Sequence, residues 1–185
     1  MDGEERKATL VINMFGAPGA GKSTTAALTF GALKNLGVDA ELVSEFAKDL
    51  VWECRSETFK DELYIFAKQN HRMFRLNGKV DVIVTDHPLL LSAFYASGDN
   101  ELAELCKSRF ASYDNLNILL ERSKPYNPNG RNQTEAESDA IGKGVAALLD
   151  SNGIPYVRIK GDSDAAGRVV GLVKERKPWL FKESK

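Results

Sequence analysis

The sequence predicts an α/β protein built on a five-stranded, mainly parallel sheet with helices on both faces. Three observations carry that expectation. Apolar strand-like runs alternate with helix-periodic segments from one end of the chain to the other, with no internal repeat and no linker. The run Val80-Asp-Val-Ile-Val-Thr85 is nearly continuous in apolar character, as a strand covered on both faces must be. A glycine-rich turn joins the first strand directly to the first helix, which starts a parallel crossover, and such crossovers are right-handed.

The elements follow in order. Ala8 to Phe15 is the first strand and Ser23 to Leu36 the first helix, closed by Asn35-Leu36-Gly37. Val38 to Ser44 reads as a second strand and Glu45 to Arg55 as a short helix. A longer helix is expected from about Ser56 to Asn77, with Phe59, Leu63, Phe66, Met73 and Phe74 as its apolar stripe and Asn77-Gly78 as its stop. Val80 to Thr85 is the third strand. Pro88 suits the opening of a helical stretch that runs past Phe94 and Tyr95. Glu101 to Ser112 is helical, with Leu102, Leu105, Cys106 and Phe110 inward, and Leu116 to Leu120 is the fourth strand. Thr134 with Glu137 forms a capping box for a helix ending at Ser151-Asn152-Gly153. Ile154 to Ile159 is the fifth strand, and Asp162 or Ser163 caps a last helix to about Glu175.

The bulk composition narrows the function classes. A length of 185 residues suits one domain, 1–185, and supports a substantial core. A net charge of −1 gives no global basic field for nucleic acid, although a local basic groove is compatible with it. Cys54 and Cys106 stand far apart without metal-site spacing and are expected as reduced, part-buried thiols. The polar start, Met1 to Lys7, lacks the apolar stretch of a signal peptide, and no segment has the length and apolarity of a membrane span. A cytoplasmic location without membrane contact is the expectation.

The glycine-rich turn carries the chemistry. Gly16-Ala17-Pro18-Gly19-Ala20-Gly21-Lys22-Ser23, followed by Thr24, is the Gly-x4-Gly-Lys-Ser phosphate-binding P-loop (Walker A), in the strand–turn–helix context it requires. Its glycines let backbone N–H groups converge on one concavity, and the helix dipole adds positive character there. Lys22 is placed to reach the β- and γ-phosphates and Ser23 to ligate Mg²⁺. The expected donor is ATP with Mg²⁺.

Other candidates follow from position. Asp86 ends the third strand, where the carboxyl ends of α/β strands face ligand, and it is expected to hold Mg²⁺. Glu45 ends the second strand and can take a proton from an acceptor hydroxyl, with Lys48 one turn on. The polar segment of about 122–133 looks like a lid. It brings Arg122, Lys124 and Arg131, of which Arg131 is the better candidate to sit over the transferred phosphoryl group, with Arg122 also expected near the nucleotide. Lys160-Gly-Asp-Ser163 is a candidate rest for adenine. His71, Phe46, Trp52 and Tyr95 are read as packing or surface residues, with Phe46 and Trp52 near the expected acceptor side, and His87 as a neighbour of the site.

Taken together, the chain resembles the P-loop kinases of the nucleoside/nucleotide-kinase type, in particular the AAA_28-type group that includes the nicotinamide-riboside kinase domain. The likeness is carried by Phe15 to Thr24, Ser44-Glu-Phe-Ala-Lys48, Val82-Ile-Val-Thr-Asp86 and Lys124-Pro-Tyr-Asn-Pro-Asn-Gly-Arg131. It implies strand order 2-3-1-4-5. It also implies that Glu45 falls where deoxynucleoside kinases keep an acidic base, and Asp86-His87 where they keep an acidic–arginine pair, with His87 replacing the arginine. Small kinases of this look are common in bacterial viruses. The leading expectation is phosphate transfer from ATP to a nucleoside- or nucleotide-like acceptor. The alternatives are a kinase for a DNA hydroxyl, at an end or on a hydroxymethyl base, and an ATPase without small-molecule acceptor. A GTPase is disfavoured because the Asn/Thr-Lys-x-Asp guanine motif is missing.

Overall fold

In the computed structural model, which describes residues 8–96, 98–127 and 133–181, five parallel strands lie in the order β2-β3-β1-β4-β5. They are β1 (Leu10–Phe15), β2 (Ala40–Val43), β3 (Val82–Thr85), β4 (Asp114–Glu121) and β5 (Val157–Lys160). Between and after them come α1 (Lys22–Asn35), α2 (Phe46–Trp52), α3 (Glu62–Phe74), α4 (Leu90–Tyr95), α5 (Asn100–Ala111), α6 (Glu135–Ser151) and α7 (Ala165–Arg176). The expected topology is therefore present, and every neighbouring strand pair is parallel.

β1 explains the two-sided core. Successive side chains of a strand point to opposite faces. Leu10, Ile12 and Met14 pack with Leu33 of α1 and Val169 and Val173 of α7 on one side. Val11 and Phe15 pack with Phe66, Leu90, Phe110 and Leu149, from α3, α4, α5 and α6, on the other. Asn13 interrupts this apolar strand, and it is fully buried. Its Nδ2 donates to Oδ1 of Asn115 at 2.8 Å and of Asn117 at 3.0 Å, tying β1 to β4 through side chains as well as backbone.

Four expectations on local structure need correction. The helix expected from Ser56 starts at Glu62 instead. α2 ends in a Schellman-type closure, with Arg55 N–H on the Leu50 carbonyl at 3.0 Å and Cys54 at φ 55°. A 3₁₀ turn over Ser56–Lys60 follows, and Asp61 then caps α3 by accepting from the Tyr64 N–H at 3.0 Å. The inward stripe of α3 is Ile65, Phe66, Gln69 and Met73, while Phe59, Leu63 and Phe74 are exposed. On α5, Leu105 is exposed while Leu102, Cys106 and Phe110 face inward. In contrast, the Thr134–Glu137 capping box forms with both reciprocal bonds. The N-cap of α7 is Asp164, not Asp162 or Ser163; Asp162 instead holds the preceding turn by accepting the Asp164 N–H. Of the two thiols, Cys54 is exposed and Cys106 buried. Among the described residues, no helix is long and apolar enough to cross a membrane.

Candidate active site at the carboxyl ends of the strands

The P-loop is shaped by contacts that exclude side chains. Gly16, Gly19 and Gly21 have φ of 140°, 81° and 95°, values L-residues rarely adopt. A Cβ on Gly16 would lie 2.6 Å from the Leu120 carbonyl oxygen at the end of β4. The loop is pinned from outside as well. Ser138 of α6 donates from Oγ to the Pro18 carbonyl at 2.7 Å, and Gly142, one turn on, leaves room for Ala17. Gly161, after β5, packs so tightly that a Cβ there would sit 2.1 Å from the Ala20 oxygen. The Lys160–Ser163 loop thus buttresses the P-loop. α1 starts at Lys22, and the first amides of a helix have no intrahelical acceptor, so they point into the concavity. Lys22 Nζ donates to the carbonyls of Gly16 at 2.9 Å and Ala17 at 3.2 Å.

Across from this cradle, the ends of β2 and β3 are laced together. Asp86, buried after β3, accepts the Glu45 N–H on Oδ1 at 2.9 Å. Gln69 of α3, fully buried, accepts the Phe46 N–H at 3.0 Å and donates to the His87 carbonyl at 3.2 Å. Both amides belong to the N-terminus of α2, so an acid and an amide from two other elements fix where Glu45 stands. Arg72 adds a third tie, with Nη2 2.5 Å from Asp49 Oδ2 and its guanidinium over the Phe46 ring. His87 is buried, and its Nδ1 lies 3.4 Å from Glu45 Oε1.

These two halves face one cavity of about 470 Å³, within the range of small-molecule sites. Gly16, Pro18, Gly19, Gly21, Lys22, Ser23 and Thr24 line it on the P-loop side. Glu45, Lys48, Val51, Trp52, Phe59, His87, Leu91 and Tyr95 line the far side, with Gln133 and Val145 at another wall. Burial pushes the Glu45 carboxyl up, but the His87 hydrogen bond and the charges of His87, Lys22 and Lys48 outweigh it, so its pKa lies below the ordinary value. Glu62, on α3, shows the opposite balance. Burial raises its pKa, and the Ser92 contact and His87 only partly offset this. The Tyr95 phenol is pushed up to about 12 by burial and by the charges of Glu45 and Glu62.

The sequence-derived candidates divide as follows. Gly16, Pro18, Gly19, Gly21, Lys22, Ser23, Thr24 and Glu45 meet at the cavity; Ala17 and Ala20 shape the loop behind it, with Ala20 N–H on the Ala17 carbonyl. Asp86 sits at the carboxyl end of β3 as expected, behind Glu45 and not on the cavity wall. Arg122 turns to α6, pairing with Asp139 and with Glu135 at 3.4 Å and lying over the Tyr126 ring. It is not among the residues that line the cavity. Two acids in the first turns of a capped helix are a nearer partner than the P-loop, which the sequence pattern did not weigh. Arg131 lies outside the described residues. Trp52, expected near the acceptor side, is exposed on the cavity wall, and Tyr95, read as a packing residue, lines the same wall. Gln69 and Ser138 were missed. Both are polar residues inside helical stripes, and the only sequence signal was that interruption.

Residues 11–165 match the family model AAA_28, described as an AAA domain. This chain belongs to that family. No curated protein matches the chain in sequence. Among solved structures it is similar to thymidylate kinase from Candida albicans, with 13% identity, TM-score 0.60, and coverage of 95% of this chain and 94% of that one. It is also similar to NadR protein, solved in complex with NR, at 16% identity and TM-score 0.67; the match covers 98% of this chain and 54% of NadR. A deoxyadenosine kinase from M. mycoides, solved with dCMP and dCDP, matches at 16% identity and TM-score 0.54, covering 91% and 99% of the two chains. At these identities the likeness shows the fold, which is that of the P-loop nucleoside and nucleotide kinases.

Proposed function

We propose that the protein is a phosphotransferase that moves the γ-phosphate of ATP, with Mg²⁺, to a nucleoside- or nucleotide-like small molecule. The observation that carries this reading is the shared cavity: a phosphate cradle and an ionised carboxylate, Glu45, face each other across one space. A carboxylate there could also orient water for hydrolysis, but the apolar wall beside it, with Val51, Trp52, Phe59 and Leu91, offers an acceptor a place to rest. Phosphoryl transfer needs positioning and charge stabilisation, with an acceptor held in line. The similar structures, two of them named as kinases for thymidylate and deoxyadenosine, support an acceptor of that kind.

In this reading the P-loop amides and Lys22 hold the β- and γ-phosphates. Lys22 now rests on two carbonyls of its own loop, and it exchanges them for phosphate oxygens when ATP binds. The Ser23 hydroxyl on the cavity wall, and the Asp86 carboxylate behind Glu45 acting directly or through water, would hold Mg²⁺; both are hard oxygen donors that suit this ion. The Glu45 amide engages one oxygen of Asp86, and a carboxylate accepts through both. Mg²⁺, when bound there, supplies charge neutralisation on the phosphate oxygens. By sequence, Arg131 is the cation assigned to the transferred group, and Arg122 would join it only by leaving Asp139 and Glu135. Incubation with γ-labelled ATP and a panel of nucleosides and nucleotides tests the proposal. Label in one acceptor class is expected; label appearing only as free phosphate, whatever acceptor is added, overturns it.

A further inference from the structure

We propose that the outer face of α3 and α5 is a docking surface for a second copy of this chain, packed about a two-fold axis with the two α3 helices antiparallel. α3 has two faces. Ile65, Phe66, Gln69 and Met73 point into the molecule. Leu63, Ala67, Asn70 and Phe74 recur at i, i+4, i+7 and i+11, so they stack in one stripe along the outer side. Leu105 and Arg109 of α5 flank that stripe, and together these residues line an open groove of about 370 Å³. Leu63 is 56% exposed, Phe74 67% and Leu105 39%. Single exposed apolar residues are ordinary on a surface, whereas three large ones in one groove mark a contact face. Trp52, Phe59 and Tyr95, also exposed, belong to the active-site cavity instead.

The order of side chains along the stripe selects the occupant. It runs long, short, short, long, from Leu63 through Ala67 and Asn70 to Phe74, with its midpoint between Lys68 and Gln69. Turned end over end about that midpoint, it presents the same order. A two-fold axis there brings Leu63 of one copy against Phe74 of the other, twice, while Ala67 and Asn70 face each other at the centre and let the helices approach. Such self-complementarity is what an isologous contact requires. Charge follows the same symmetry. Asp61 and Glu62 stand at the N-terminal end of α3, and His71, Arg72 and Arg75 at its C-terminal end. An antiparallel pair sets each acidic end beside the other copy's basic end, whereas a parallel pair would stack like on like. The size of the face sets the strength. α3 has 13 residues and α5 has 12, so side by side they offer a face of roughly 400 Å² in projection. That is smaller than the about 800 Å² per partner of a standard interface, so the dimer is a weak one that forms with rising concentration.

Sedimentation equilibrium of the full chain, from low micromolar to several hundred micromolar, tests this, with a reductant present to keep the exposed Cys54 from linking chains. The average mass should rise from monomer toward dimer. Leu63→Asp puts an acid in the first turn of α3 and Phe74→Lys a base in its last, which suits the helix, so both variants should melt like the wild type. Each alone should weaken association by about tenfold or more. An equimolar mixture of the two should recover the dimer, because one contact then joins the new acid to the new base while the other remains Leu63 against Phe74. Leu28→Asp, at an exposed position of α1, is the control and should associate like the wild type. A wild-type chain that stays monomeric at every concentration overturns the proposal. So does a dimer that persists unweakened in both single variants, since its contact then lies elsewhere. A mixture that stays monomeric overturns the antiparallel pairing.

Discussion

Gly161→Ala should damage the nucleotide site from behind without touching nucleotide. The added Cβ would stand 2.1 Å from the Ala20 carbonyl oxygen and 3.3 Å from that of Glu121. Contacts of a Cβ below about 3 Å do not persist, so one backbone must move by roughly 1 Å. Neither gives way freely. Gly161 N–H donates to Glu121 at 2.8 Å, its carbonyl accepts from Ser123 Oγ at 2.8 Å, and Ala20 N–H is bound to Ala17 at 3.1 Å. Overpacking of this kind costs about 1–3 kcal/mol. At about 2–4 °C per kcal/mol for a chain of this size, the melting temperature should fall by roughly 2–12 °C. If Ala20 moves, the phosphate-binding amides move with it. A 1 Å misplacement of this sort is worth up to about 10²-fold in rate, and a loss of about 1.4 kcal/mol in binding is tenfold in Kd. Calorimetric titration with a non-hydrolysable ATP analogue, beside a thermal melt and a transfer assay, reads all three. Gly167→Ala is the control, because that position in α7 is open space and alanine is the better helix former. Wild-type affinity and wild-type transfer in Gly161→Ala would refute the claim that the β5–α7 loop shapes the P-loop.

Other predictions follow from features of the same kind. Asn13→Ala removes the amide shared by Asn115 and Asn117 inside the sheet and should cost about 1–3 kcal/mol in urea denaturation, with the m-value unchanged. Cys54→Gly relieves a left-handed residue at the end of α2. It should raise stability by about 0.5–1 kcal/mol after the entropy glycine adds to the unfolded chain, read as a melting temperature higher by a few degrees. In thiol labelling of the native chain, Cys54 should react quickly and Cys106 only on unfolding, since burial pushes the Cys106 thiol up to about 12. The acids of the site should act oppositely with pH. The lowered pKa of Glu45 gives stability present above its unfolded value of 4.5 and lost as pH falls through the folded value. The raised pKa of Glu62 gives stability present below 4.5 and lost as pH rises through its folded value. Glu62→Gln should therefore melt higher than wild type at pH 7, and the gap should close toward pH 4; a gap that widens on acidification contradicts the assignment.

The fold was legible because local and global signals agree in it. Apolar runs set the five strands, and a fingerprint of glycines placed the turn between β1 and α1 where only φ near +90° and bare Cα atoms fit. Asp86 and Glu45 could be placed because they follow strands, and strand ends converge on one side of a parallel sheet. What escaped the sequence depends on rotation and on distant partners. The stripe of α3 was misjudged because its apolar residues cover more than one face, and the core that includes Val11, Ile83 and Leu90 takes Phe66 and Met73 while Leu63 and Phe74 stay exposed. Gln69 and Ser138 look like polar interruptions until the backbone groups they satisfy, at Phe46 and Pro18, are brought beside them. Arg122 carries a charge that suits phosphate equally well as Asp139, and only the folded position of α6 shows which it meets.

The most direct test of the account is Lys22→Ala in the labelled γ-phosphate transfer assay, beside a thermal melt to verify folding. The cradle of backbone amides remains in that variant, while the ammonium that reaches the β- and γ-phosphates is gone. The account predicts a native-like melt, no detectable labelled acceptor, and a wild-type chain that labels a nucleoside- or nucleotide-like acceptor in parallel. Transfer by Lys22→Ala at the wild-type rate would contradict it.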